Sequence, residues 1–135
     1  MKRAHGFSLV ELVITLVIAA ILAALAIPRF TDAESKATWY QEQVKAAVRY
    51  AQRQAVAQRR AFYVCVASAQ VKVGYDAACV SDIPSYRLMA PSGVTLSPTG
   101  SFFFNGLGQP SSAGDISINV GGKTVTIIAE TGYVP

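Results

Sequence analysis

From Phe7 to Ile27 the chain is almost wholly apolar, with Ser8, Glu11 and Thr15 as the polar exceptions. At ~1.5 Å of rise per helical residue, this run is about long enough to cross a hydrocarbon layer of roughly 30 Å. The pattern predicts a transmembrane helix over 7–27. Pro28 then removes a backbone hydrogen bond and crowds the preceding turn. The stretch reads either as a bend or local break in one long helix, which we favour, or as a helix end with Thr31 or Asp32 capping a second helix.

The periodicity after Pro28 is amphipathic. Ala33, Ala37, Tyr40, Val44, Ala47, Ala51 and Ala55 recur at three- and four-residue steps and make one apolar stripe, with Val48 at its edge. This predicts a helix over 28–60 that lays its small alanines against a sheet. Lys45, Arg49, Arg53 and Arg60 fall on roughly the opposite side, at about 100° of rotation per residue. Arg59 and Arg60 would complement the dipole at the helix C-terminus.

From Ala61 the pattern changes to short strands. Phe62–Val66 is aromatic and β-branched, and Val71–Val73 is either its hairpin partner or part of a loop. Asp76–Ser85 reads as irregular. Tyr86–Met89, Val94–Leu96 and Ser101–Phe104 are short strand candidates, and Gly106–Gly114 reads as an exposed loop. Ile116, Ile118 and Val120, then Gly121-Gly122, then Val125, Ile127 and Ala129 form the clearest hairpin signal in the chain. Residues 61–135 are therefore expected to form a β-rich globular region, with no internal repeat.

Glu11 is the residue these patterns leave unexplained. A charged side chain within a membrane span costs about 2.5–3.5 kcal/mol on insertion scales and marks a functional site by default. Lys2 and Arg3 precede the span, so the positive-inside rule keeps the N-terminus cytoplasmic. Ala24-Leu25-Ala26 looks like a signal-peptidase site, but Glu11 interrupts the apolar region and the helical pattern resumes after Pro28. A plain single-pass anchor with a snorkelling Glu11 is a further reading.

Met1–Gly6 followed by Phe-Ser-Leu-Val-Glu-Leu resembles the leader of type IV prepilins and pseudopilins. The Arg49–Ala57 helix end, Phe103–Pro110 and the closing Glu130–Val134 extend the likeness to the H-type pseudopilin and FimT-like branch. The resemblance implies an α+β, pilin-like fold, a long N-terminal transmembrane helix whose periplasmic half packs on antiparallel β-sheets. It implies a leader at 1–6, cut by prepilin peptidase between Gly6 and Phe7, with N-methylation of Phe7. The new α-amine at Phe7 would pair with Glu11 of a neighbouring subunit during filament assembly, and Pro28 would bend the helix. Implied partners are other pilin or pseudopilin subunits, prepilin peptidase, an inner-membrane assembly platform and the lipid bilayer. The C-terminal domain would be periplasmic and later part of a pilus or pseudopilus.

Charge and cysteines refine this picture. The net charge of +4 falls to +2 once Lys2 and Arg3 leave with the leader, too little by itself to imply nucleic acid. Cys65 and Cys79 lie on the translocated side, where an oxidising compartment favours a disulfide. His5 is the only histidine and lies in the leader. With no metal set, no cofactor motif and no base beside a nucleophile, the expectation is a non-enzymatic subunit. The alternative is a DNA-binding minor pilin acting in uptake, with Lys45, Arg49, Arg53 and Arg60 as contacts to phosphate or to a partner. FimT-like DNA receptors use a Gly-Arg-x-Arg tail, which Gly132-Tyr133-Val134-Pro135 lacks.

Overall fold

The computed structural model describes residues 8–135, apart from the side chains of residues 25–33. A single α-helix, α1 (Leu9–Gln58), is followed by β1 (Phe62–Ala67), β2 (Gln70–Gly74), β3 (Asp82–Met89), β4 (Leu96–Ser97), β5 (Gly100–Phe104), β6 (Ile116–Val120) and β7 (Lys123–Ile127). The chain divides into two compact units, Met1–Asp32 and Ala33–Pro135. The leader and Phe7 lie outside the described residues, as do the side chains of Pro28 and Ala33; the backbone of α1 is helical through Pro28, so neither a local break nor a helix end with a second helix capped by Thr31 or Asp32 is present.

In the second unit α1 packs on two antiparallel sheets, one of order β3-β2-β1-β5 and one of order β4-β6-β7. The fold is α+β and pilin-like, as expected. Ala37, Tyr40, Val44, Ala47, Ala51 and Ala55 are buried, and so is Val48, which belongs to the stripe rather than its edge. They share one core with Phe62, Val64 and Val66 of β1, Val71 and Val73 of β2, and Phe102 and Phe104 of β5. Ile118, Val120, Val125 and Ile127 complete it. Alternation along each strand puts these side chains on the helix-facing side, and burying each Val, Ile or Phe contributes about 1.5–3 kcal/mol. The buried Tyr40 hydroxyl donates to the Leu88 carbonyl at 2.8 Å. Burial pushes its pKa up to about 12.

The β6–β7 hairpin forms in the register its alternation implies, with Ile118 opposite Val125 and Val120 opposite Lys123. Gly121 and Gly122 turn it with φ of 57° and 87°, the left-handed pair that a two-residue hairpin turn demands. A Cβ at Gly121 would lie 3.1 Å from Cβ of Ala37. Val71–Val73 proves to be the hairpin partner of β1, not a loop.

Two expectations need correction. The stretch expected to be irregular through Ser85 ends earlier, because β3 begins at Asp82 and includes Pro84. β3 is the outermost strand of its sheet, and an edge tolerates the missing proline N–H. β4 is only Leu96–Ser97; Pro98 follows and cannot donate to a ladder.

The Cys65–Cys79 disulfide is present, with Cα atoms 6.2 Å apart and a sequence separation of 14. It fastens the β2–β3 loop to β1, and closing a loop of that size contributes about 3 kcal/mol in the chain-entropy picture. The Asp76 carboxylate organises the same loop by accepting N–H bonds from Ala78, Val80 and Ser81 at 3.0, 3.1 and 2.8 Å. Those bonds, Ser81 and Val80 foremost, hold its pKa below the usual carboxylate range.

Candidate functional site

At the start of α1, Ser8 caps the helix. Its Oγ accepts the Glu11 N–H at 3.2 Å, and its carbonyl accepts the Leu12 N–H at 3.2 Å. Glu11 thus occupies the third position of a Ser-x-x-Glu capping arrangement, where the positive end of the helix dipole favours a carboxylate. The apolar side chains that follow are exposed on every side, from 48% at Val13 to 79% at Leu9. A helix that is apolar all round belongs in a membrane or in a larger packed assembly. Thr15 satisfies its hydroxyl within the helix by donating to the Leu12 carbonyl at 2.9 Å. Among the described residues no helix is long and apolar enough to cross a membrane; the apolar run extends to Ile27, and the side chains of residues 25–27 are not among those described. Gly6 and Phe7 also lie outside the described residues.

Of the four cations expected on one helix face, Lys45, Arg49 and Arg53 fall at successive four-residue steps of α1, and Arg60 lies beyond it. Lys45 is half-buried and pairs with Glu42 at 3.1 Å, one turn away. Arg49 turns back towards the C-terminal tail, where Nε and Nη2 donate to the Val134 carbonyl at 3.2 and 3.0 Å. Arg53 stays exposed. Arg60 lies beyond the helix, which ends at Gln58, and its guanidinium sits 4.3 Å from the Tyr75 ring and 5.4 Å from the Phe62 ring. One tail acceptor, one ion pair and one cation–π stack therefore account for three of the four charges. The dipole expectation for Arg59 and Arg60 is corrected likewise, since the last turn of α1 carries no basic residue.

The helix end is closed by two crossed hydrogen bonds, Arg60 N–H to the Ala55 carbonyl and Arg59 N–H to the Val56 carbonyl. This is the Schellman pattern, with Arg59 in the left-handed position at φ 50° where glycine is usual. The loop after β5 leans on this end. A Cβ at Gly106 would crowd the Arg59 backbone at 3.1 Å, so that approach favours glycine. Gln52 ties loop and tail together by donating to the Gly108 and Thr131 carbonyls at 3.0 and 2.8 Å.

A cleft of about 280 Å³ beside β5 and β6 is lined by Val66, Phe102, Ile116 and Ile118, with Ser101, Ser111 and Ser117 at its walls. No acid or base lines it, so no group there is placed to activate a serine. Among the described residues no group of three or more His, Cys, Asp or Glu is placed to hold a metal.

This architecture and sequence match a known family. Residues 41–132 match the family described as type II transport protein GspH. The chain belongs to that family. Residues 1–27 match the prokaryotic N-terminal methylation motif, and together the two mark a membrane-anchored protein of the pilin and pseudopilin superfamily. The GspH-family fold is shared with the type IV minor pilin FimU of Pseudomonas aeruginosa PAO1. Its P21 crystal form has a TM-score of 0.60 at 18% identity, covering 78% of this chain and 90% of FimU. In the P65 form the TM-score is 0.57 at 18% identity, covering 73% and 90%. At that identity the likeness is one of fold. No curated protein sequence matches the chain.

Sequence periodicity gives no sign of the Ser8 cap on Glu11, of the helix-closing conformation of Arg59 or of the tie made by Gln52. The Ser8–Glu11 capping pair was open to detection from its spacing. Arg59 and Gln52 were not, because the first is defined by a backbone angle and the second by partners far away in sequence.

Proposed function

We propose that this GspH-family chain is a non-enzymatic minor pilin or pseudopilin, cut by prepilin peptidase between Gly6 and Phe7, N-methylated at Phe7, and assembled into a filament tip or priming complex. The observation that carries the reading is the methylation motif matched over residues 1–27. The capped, exposed Glu11 supports it, since the carboxylate sits in the first turn of a helix whose apolar surface is unclothed. Cleavage would place a cationic α-amine at Phe7, the charge a carboxylate at membrane depth needs, supplied by a neighbouring subunit. In this reading 1–6 is the leader, 7–27 the membrane half of the helix, and 28–60 its outer half. Residues 61–135 are the presented domain, facing the periplasm from the inner membrane.

Gly6→Ala tests the proposal directly. The variant should keep the slower mobility of the unprocessed chain and carry no methyl group at Phe7 by mass spectrometry. Unchanged mobility and methylation relative to the native chain would refute it. DNA uptake is not adopted as a second reading, because Lys45, Arg49 and Arg60 are engaged by Glu42, Val134 and Tyr75.

A further inference from the structure

The C-terminal end of α1, the Gly106–Gly108 loop and the 131–134 tail meet in one surface. At this junction Leu107 is 81% exposed, Tyr133 62% and Val56 47%. Close backbone approaches beside each of them bring the three segments together. Gly108 approaches the Val56 side chain, and Gly132 lies against both Gly108 and Gln52. Arg53 and Arg59 are exposed at its margin, and neither takes part in an ion pair among the described residues. Arg49 is committed to Val134 and Arg60 to Tyr75. Glu130, also exposed, precedes the tail and lines a cleft with Asn105 and Gln109 at the ends of the same loop.

An apolar centre with arginine at its rim is the anatomy of a protein-binding surface. The unpaired guanidiniums specify the charge of the other side, since like charges opposite one another are excluded and carboxylates match arginine in geometry. Arg59 adds to this. Glycine would close the helix at lower conformational cost, so an arginine held there retains a side chain that helix termination does not need. Aliphatic Leu107 and Val56 offer nothing to a phosphate backbone, which favours protein over nucleic acid.

We propose that this surface docks a protein segment that presents aspartate or glutamate around an apolar side chain, with Leu107, Val56 and Tyr133 as its apolar contacts and Arg53 and Arg59 as its charge partners. The inference rests on the reading of the chain as an assembling subunit and names the surface that a neighbour in the assembly would use.

The test places a photoreactive p-benzoylphenylalanine at Leu107 in the full chain, in the cells that make it, and sequences the adduct. The expected adduct maps to a segment with carboxylates next to the crosslinked residue. Its yield should fall about tenfold in Arg53→Glu/Arg59→Glu, as expected for two exposed ion pairs, and return when those carboxylates are changed to arginine. Arg59→Gly should raise the melting midpoint yet lower the yield, whereas a merely structural Arg59 would leave the yield unchanged and overturn its role. No adduct, an adduct removed by nuclease, or one indifferent to charge reversal would overturn the proposal. Leader cleavage and filament incorporation are followed in the same cells. Normal incorporation without the adduct condemns this surface alone, and absent processing condemns the subunit reading.

Discussion

At the scale of single residues, side chains that look alike in sequence do different work. Arg49 and Arg53 are one helical turn apart, yet the first is spent on the Val134 carbonyl and the second is exposed, with no ion pair among the described residues. Arg49→Ala should therefore cost about 1.5–3 kcal/mol, the range for hydrogen bonds to a charged group, whereas Arg53→Ala should fall within about 0.5 kcal/mol of the native chain, as surface changes do. Thermal melts of the full chain in detergent would separate the two. Asp76 gives a pH-dependent counterpart. Its native pKa is depressed by the N–H groups of Ser81 and Val80, so its contribution is complete above the ordinary carboxylate value and is lost as pH falls through the native one. Asp82, held down by the Arg87 guanidinium, has the same sign. Melting midpoints should drop on acidification below pH ~4, and Asp76→Asn should flatten that dependence while lowering the midpoint at neutral pH.

Elements show how far pattern alone reaches. The helix stripe and the β6–β7 hairpin were legible because their signals are local: a 3.6-residue period in one, strict alternation about Gly121-Gly122 in the other. β3 was half-hidden because Pro84 reads as a breaker, and only its place at the sheet edge makes it harmless. The pattern puts β4 two residues early, at Val94–Leu96 instead of Leu96–Ser97, since two residues cannot display a period. The site was less legible than the fold. The leader, Gly6, Phe7 and Glu11 formed a compact local motif, whereas the surface at the end of α1 is assembled from three segments that are remote in sequence. No window contains Val56, Leu107 and Tyr133 together. The hairpin turn also permits a sharp test. Gly121→Val would put a branched side chain at φ 57° against Ala37 and Val94. The left-handed conformation alone costs about 1–2 kcal/mol, and the clash adds to it. Gly122→Ala meets no neighbour within 4 Å and should cost only the backbone term. Midpoints in the order native, Gly122→Ala, Gly121→Val are expected from the same melt.

For the whole molecule, two units divide the labour. Residues 33–135 hold a core complete in itself, with Phe104, Ile118 and Val125 fully enclosed. The described start of α1 encloses nothing and offers an apolar surface bearing one carboxylate. If that carboxylate serves assembly, folding and assembly must be separable by mutation. Glu11→Gln keeps the shape and the polar atoms but removes the charge that would pair with a neighbour's α-amine. Breaking a buried ion pair by removing one partner costs about 3–5 kcal/mol, so incorporation into sheared filaments should fall at least tenfold while the melting midpoint of the globular unit stays at the native value. Phe104→Ala should do the converse. Losing a fully enclosed aromatic costs about 3–5 kcal/mol, so the midpoint falls, while the proposed leader cleavage, set by the N-terminal motif, should proceed. Should Glu11→Gln lower the midpoint as well as incorporation, the acid would belong to the fold of its own chain and the intersubunit pair would be lost as an explanation.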